Sequence, residues 1–125
     1  MAKILVIDDD QNLVDIFKTA LEKAGFAVVV APDGKTGQNM ATSEKPDLIL
    51  LDQVLPDTKG VEVLKILKSS EVKDVPVAIL SNFGQNELVE EALREGATEY
   101  ILKYQIAPED LVNKVKQLLK GRQTP

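Results

Sequence analysis

The 125-residue chain contains no cysteine, no histidine and no tryptophan. The first absence excludes disulfides and thiolate metal sites. The second removes imidazole general bases, zinc sites of the usual kind and any phosphohistidine of the chain's own. Three phenylalanines and two tyrosines are the only aromatics, too few for a base-stacking platform. No apolar run is longer than a strand. Ile4-Leu5-Val6-Ile7 and Leu48-Ile49-Leu50-Leu51 are far short of the roughly 20 residues that cross a bilayer. Met1-Ala2-Lys3 leads directly into the first of these runs, with no secretory leader ahead of it, so the expectation is a cytoplasmic protein. Basic residues are the minority, 15 against 20 acids. The net charge of −5 disfavours nucleic acid and anionic membrane as partners. What the chain does have is 44% apolar residues, enough for a core of ordinary size. One domain over residues 1–121 is expected, followed by a tail over 122–125.

Apolar runs of strand length alternate with segments of helical periodicity. The β-branched run at residues 4–7 reads as a strand buried on both faces. Leu13, Phe17, Ala20, Leu21 and Ala24 recur at helical spacing, and Gly25 sits where that helix stops. Residues 26–31, with three consecutive valines, form the second strand, closed by Pro32-Asp33-Gly34. A weakly patterned helix is expected over about 35–43. Residues 47–51 are the third strand, 52–60 are irregular, and Val61, Leu64 and Leu67 mark a third helix. A fourth strand over 75–80, a helix carrying Leu88, Val89, Ala92 and Leu93, and a short strand over 100–102 follow. Pro108, with Glu109 and Asp110 behind it, opens the last helix. A strand followed by a helix, five times over, implies an α/β fold with a doubly wound parallel sheet and right-handed crossovers. In such sheets ligands bind beyond the carboxyl ends of the strands, so those positions carry the functional information.

Asp8-Asp9-Asp10 follows the first strand, Asp52 the third, Ser81-Asn82 the fourth and Lys103 the fifth. If strands 1, 3 and 4 are neighbours, these groups converge. Crowded carboxylates persist where a hard divalent cation neutralises them or where some of them stay protonated. Mg²⁺ takes a few carboxylates and keeps waters that a phosphate oxygen can replace. A lysine and a hydroxyl opposite could hold further phosphoryl oxygens, which is the equipment of phosphoryl transfer. With no histidine or cysteine, a carboxylate is the natural nucleophile. Simpler roles stand beside these. Asp10 suits the N-cap of the first helix, Ser81 could satisfy a backbone group, and Tyr100 could be strand packing.

In these residues the chain resembles the receiver domain, the phosphoacceptor module of bacterial two-component response regulators, over essentially residues 2–120. The family pattern is an acidic pair after strand 1 (Asp8, Asp9), and an acceptor aspartate with proline four and glycine eight residues on (Asp52, Pro56, Gly60). It continues with a hydroxyl residue after strand 4 (Ser81), and a lysine after strand 5 with an aromatic three residues before it (Lys103, Tyr100). The resemblance implies a flavodoxin-like fold with strand order 2-1-3-4-5. It implies Asp52 as the residue phosphorylated by a sensor histidine kinase or phosphotransfer protein. Mg²⁺ would be held by Asp8, Asp9, Asp52 and the backbone carbonyl of Val54. Lys103 and Ser81 would contact the phosphoryl group, and Ser81 with Tyr100 would form a switch. A homodimer through the helix 4–strand 5–helix 5 face is a further expectation, with the downstream target open. The chain would be a stand-alone regulator or a receiver cut from a longer protein.

Departures from the pattern are Tyr104 where a proline usually follows the lysine, Asn82 after Ser81, and apolar Val54 and Phe83 at the two positions that, by the resemblance, flank the approach of water to Asp52. The last pair implies a long-lived phosphoryl group. Two rival readings use the same residues. A receiver-like module could bind partners without phosphorylation. A haloacid-dehalogenase-like phosphatase could use Asp8 and Asp10, although it lacks a second acidic cluster beyond Glu109-Asp110. A flavin carrier is disfavoured because Asp8-Asp9-Asp10 would repel its phosphate. A dinucleotide fold lacks the glycine-rich turn.

Overall fold

A computed structural model describes residues 1–82 and 86–123. It contains β1 (Lys3–Ile7), α1 (Gln11–Lys23), β2 (Ala27–Ala31), α2 (Gly34–Glu44), β3 (Leu48–Asp52), α3 (Gly60–Lys68), β4 (Val77–Ser81), α4 (Asn86–Arg94), β5 (Glu99–Leu102) and α5 (Pro108–Gln123). The five strands make one sheet in the order β2-β1-β3-β4-β5, with every neighbouring pair parallel. This is the expected order, and it puts β1, β3 and β4 side by side.

Period-two alternation divides the core. Ile4 and Val6 of β1, with Leu48 and Leu50 of β3, pack against α1 and α5 through Val14, Phe17, Leu111 and Val115. Leu5, Ile7, Ile49 and Leu51 face the other way, onto Ala41 of α2, Leu64 of α3 and Ala92 of α4. Because both faces are covered, β3 and β4 are buried at every position. Each large apolar side chain taken wholly out of water contributes roughly 1.5–3 kcal/mol. A run such as residues 48–51 is therefore held firmly, and so is the aspartate at its end.

Element boundaries moved by one or two residues for identifiable reasons. The second strand starts at Ala27 rather than Phe26 because the Phe26 amide donates to Leu21 O at 3.1 Å. The Gly25 amide donates to Glu22 O at 3.0 Å, so α1 ends in a Schellman turn. Gly25 supplies the left-handed backbone this needs, at φ 97°. The fourth strand starts at Val77 rather than Val75, whose amide belongs to a turn with Val72 O at 3.0 Å. The third and fourth strands each extend one residue further, taking in Asp52, in register with Leu80, and Ser81, in register with Leu102. The second helix, weak in pattern, begins at Gly34. Asp33 caps it through Thr36 N at 2.7 Å, and Asp57, 23 residues away from Gly34, accepts from Gly34 N at 2.8 Å and Lys35 N at 3.0 Å. Its N-terminal turn is thus fixed by a tertiary contact that no local pattern contains. The last helix continues through Gln123, and Thr124 and Pro125 of the expected tail lie outside the described residues.

Gly60 opens α3 directly beneath Asp52. Its amide donates to Gln53 O at 2.8 Å, and a Cβ there would collide with the Asp52 carbonyl oxygen. Gly121, in α5, has open space around it. Gly60→Ala is therefore expected to lower stability by about 1–3 kcal/mol through backbone displacement. Gly121→Ala should raise it by up to about 1 kcal/mol through helix propensity. Denaturant midpoints of the two variants, measured side by side, check this contrast.

Candidate phosphoacceptor site

The ladder delivers three side chains to one end of the sheet. Asp8 follows β1 with its amide still paired to Ala31 O at 3.0 Å, Asp52 ends β3, and Lys103 follows β5 with its amide on Ser81 O at 3.0 Å. All three residues are buried, at 2%, 5% and 4% exposure, whereas Asp9 is exposed. Carboxylate oxygens of Asp8, Asp9 and Asp52 lie within 4.8 Å of one another. The Lys103 ammonium sits between two of them, 3.2 Å from Asp8 Oδ2 and 3.2 Å from Asp52 Oδ2.

Three carboxylates against one ammonium leave two negative charges uncompensated. Burial and the neighbouring Asp8 carboxylate push Asp52 up to about 6, against the pull of Lys103. Burial draws the Lys103 ammonium down, but the Asp52 and Asp8 carboxylates outweigh it and hold the group above its usual value. The donor set is three carboxylates, all hard oxygen, in a chain with no histidine or cysteine to compete. That is the chemistry of a Mg²⁺ site, and these residues fit one.

The other expected site residues are placed as follows. Ser81 is buried at the end of β4, and its hydroxyl donates to the Asn82 carbonyl at 3.0 Å, a backbone role of the kind its position allows. Tyr100, on the edge strand β5, is 46% exposed and lies apart from the carboxylates, beside Ile106 and Lys114. Val54 is 55% exposed, and its amide supports the Asp52 carboxylate. Phe83 lies outside the described residues. Asp10 is the N-cap of α1, accepting from Leu13 N at 3.2 Å. Glu109 and Asp110 stand exposed in the first turn of α5 and not at the strand end where the phosphatase reading needs its second acidic cluster.

Three features had not been expected. Tyr104 is joined by a trans peptide, since the described residues hold no cis bond, and its hydroxyl donates to Asp10 Oδ2 at 2.6 Å. Asp57 pins the loop after Asp52 to the start of α2. The two Asp57 bonds hold its carboxyl below the usual range, through the Gly34 amide first and the Lys35 amide second. Its only signal in the sequence is a Pro-Asp pair in a turn. Gln53, next to Asp52, is buried with neither amide atom hydrogen-bonded.

Comparison with known proteins places this geometry. The family model for the response regulator receiver domain matches residues 4–116. The chain is 35% identical over 118 residues to the phosphate regulon transcriptional regulatory protein PhoB of Pseudomonas aeruginosa, covering 94% of this chain and 51% of that protein. It is 37% identical over 121 residues to the DNA-binding dual master transcriptional regulator RpaA of Synechocystis, covering 96% of this chain and 50% of that one. The chain thus spans about half the length of the curated relatives it matches. Among solved structures, a CheY-like response regulator receiver domain protein from Methanospirillum hungatei superposes with TM-score 0.91 at 29% identity, covering 98% of this chain and 97% of that one. The receiver domain of the Francisella response regulator 1452 superposes with TM-score 0.88 at 32% identity, covering 98% and 100%. The five-stranded sheet in the order 2-1-3-4-5, the acid cluster at its carboxyl end and these matches together establish that the chain belongs to the response regulator receiver domain family of two-component signalling.

Proposed function

We propose that Asp52 accepts a phosphoryl group from the phosphohistidine of a sensor kinase or phosphotransfer protein. The observation that carries this is the buried Asp52 carboxylate, held 3.2 Å from Lys103 and clustered with Asp8 and Asp9. A carboxylate oxygen of Asp52 forms the bond to phosphorus. The phosphorus–nitrogen bond of the donor breaks, and its electron pair leaves on the imidazole. Lys103, already charged and desolvated, offers N–H donors toward the incoming phosphoryl oxygens without the reorganisation that water would need. Ser81, one residue from the cluster in the β4 register, supplies a hydroxyl for another oxygen after turning from the Asn82 carbonyl. Tyr100, outside on β5, is then the surface reporter of that turn.

Asp8, Asp9, Asp52 and the Val54 carbonyl would hold Mg²⁺, which when bound supplies neutralising charge for the incoming phosphoryl oxygens. Exposed Val54 offers attacking water no hydrogen bond, which favours a long-lived product. Acidity argues that residues 1–125 themselves act on proteins rather than nucleic acid, at net charge −5. Among the described residues no helix is long and apolar enough to cross a membrane. The α4–β5–α5 face, carrying exposed Tyr100, is the proposed self-association surface.

Acetyl phosphate with Mg²⁺ is expected to add one phosphate to the intact mass, on Asp52 alone. Asp52→Asn labelling to the wild-type extent overturns the assignment. Val54→Asn should speed loss of the phosphate by about tenfold, because an oriented water lowers the barrier by about 1.4 kcal/mol. A decay curve taken after the donor is removed reads that effect.

The raised pKa of Asp52 also has a consequence for stability. The folded state favours the protonated carboxyl, so the cost of ionisation is absent below about pH 4. It grows as pH rises toward about 6 and is fully felt above that. Without divalent ions, Asp52→Asn should be more stable than wild type by roughly 2 kcal/mol at pH 7.5. That advantage should shrink between pH 6 and pH 4. Saturating Mg²⁺ should stabilise wild type by roughly 1–3 kcal/mol by mass action, and the variant by less. Scanning calorimetry at several pH values, with and without Mg²⁺, measures both effects.

A further inference from the structure

Tyr104 closes a circuit of contacts between two loops that meet only in the folded chain. Its hydroxyl donates to Asp10 Oδ2 at 2.6 Å, across 94 positions of sequence. That distance is in the range of a phenol bonded to an ionised carboxylate. The Asp10 amide donates to Asp8 Oδ1 at 2.9 Å. Asp8 Oδ2 takes the Lys103 ammonium at 3.2 Å, and that ammonium lies 5.1 Å from the centre of the Tyr104 ring. Each member therefore restrains the next: phenol, capping carboxylate, site carboxylate, ammonium and ring. Asp10 is fixed from its other side as well, because its Oδ1 accepts from Leu13 N at 3.2 Å at the start of α1. The phenol thus ties the β5–α5 loop to a rigid helix end.

We propose that the Tyr104 hydroxyl is a positioning latch, which holds the β1–α1 and β5–α5 loops so that Asp8 and Lys103 keep their places beside Asp52. The inference rests on the phosphoacceptor reading of Asp52. Tyr104 is 61% exposed, and its bond is made to Asp10, so it acts through other residues. Asp10 offers its Oδ1 to the Leu13 amide and its Oδ2 to the phenol. Loss of the hydroxyl leaves the cap on α1 intact and releases the loop that carries Lys103. The carboxylate Asp8 then keeps the Asp10 amide but loses the restraint transmitted from the far loop. An ammonium and a carboxylate displaced by a fraction of an ångström cost rate and metal affinity together, since a misplacement of about 1 Å can cost a hundredfold.

The test uses Tyr104→Phe, which keeps the ring over Lys103, and Asp10→Ser, which keeps a capping hydroxyl but has no second oxygen for the phenol. Labelling by acetyl phosphate with saturating Mg²⁺ should slow about fivefold in Tyr104→Phe. Titration calorimetry on the unphosphorylated protein should show Mg²⁺ affinity weakened about threefold, with the melting temperature held within about 2 °C. Asp10→Ser should show the same losses, and the double variant should be no worse than either single one, because all three break one contact. Wild-type rate and Mg²⁺ affinity in Tyr104→Phe would overturn the latch, as would losses that multiply in the double variant. A wild-type protein that takes no label would overturn the phosphoacceptor reading itself, and the latch with it.

Discussion

The organising interaction is the Lys103 ammonium lodged between two buried carboxylates, 3.2 Å from each. Neither acid tolerates the other without it, since like charges at this range in a desolvated site repel strongly. Nor would a lysine at 4% exposure be tolerated without them. The sheet exists, from this viewpoint, to hold the three together. Asp52 ends β3, Asp8 and Lys103 directly follow β1 and β5, and the parallel register of the apolar runs behind them fixes the three at one edge. One positive charge does not balance three acids, and that shortfall suits the cluster to a divalent cation.

The loops around this triad are fixed one contact at a time. Asp57 seizes the start of α2 and so sets the loop that leads from Asp52 to α3. Gly60 lets α3 begin against the Asp52 carbonyl. Asp10 caps α1, and Tyr104 reaches it from the far side of the site. Both tyrosine partners respond to that bond. Asp10 sits below the usual carboxylate range, chiefly through the Tyr104 hydroxyl and then the Leu13 amide, while the same bond holds the Tyr104 phenol above its usual value. Local hydrogen bonds made at loop level thereby become geometry at the acceptor.

Much of this was legible beforehand because the strands are buried on both faces. Residues 4–7 and 48–51 admit no other assignment, and the polar residues directly after such runs had to lie at the carboxyl edge. Asp8, Asp52 and Lys103 were therefore found together where the spacing put them. Boundaries slipped where backbone amides serve turns instead of strands, as at Phe26 and Val75. The second helix looked weak because it contains Gly37 and only Met40 and Ala41 as clear core residues, and the contact that fixes its start, Asp57 on the Gly34 and Lys35 amides, is tertiary. The link from Tyr104 to Asp10 had no local signature beyond a tyrosine standing where a proline is usual. Pairing across 94 residues is a property of the fold. Ser81 was assigned a role toward phosphate, and in this state its hydroxyl serves the backbone.

The central claim is that Asp52 is buried and crowded by Asp8, which together hold its carboxyl above the usual range until a cation relieves the crowding. The most direct measurement is an NMR titration of the Asp52 side-chain carboxyl carbon in metal-free protein, assigned by comparison with Asp52→Asn. The account predicts a midpoint near 6, set by burial and the neighbouring carboxylate, which moves down when Mg²⁺ is added. A midpoint at the ordinary carboxylate value of 3.8, indifferent to Mg²⁺, would contradict it.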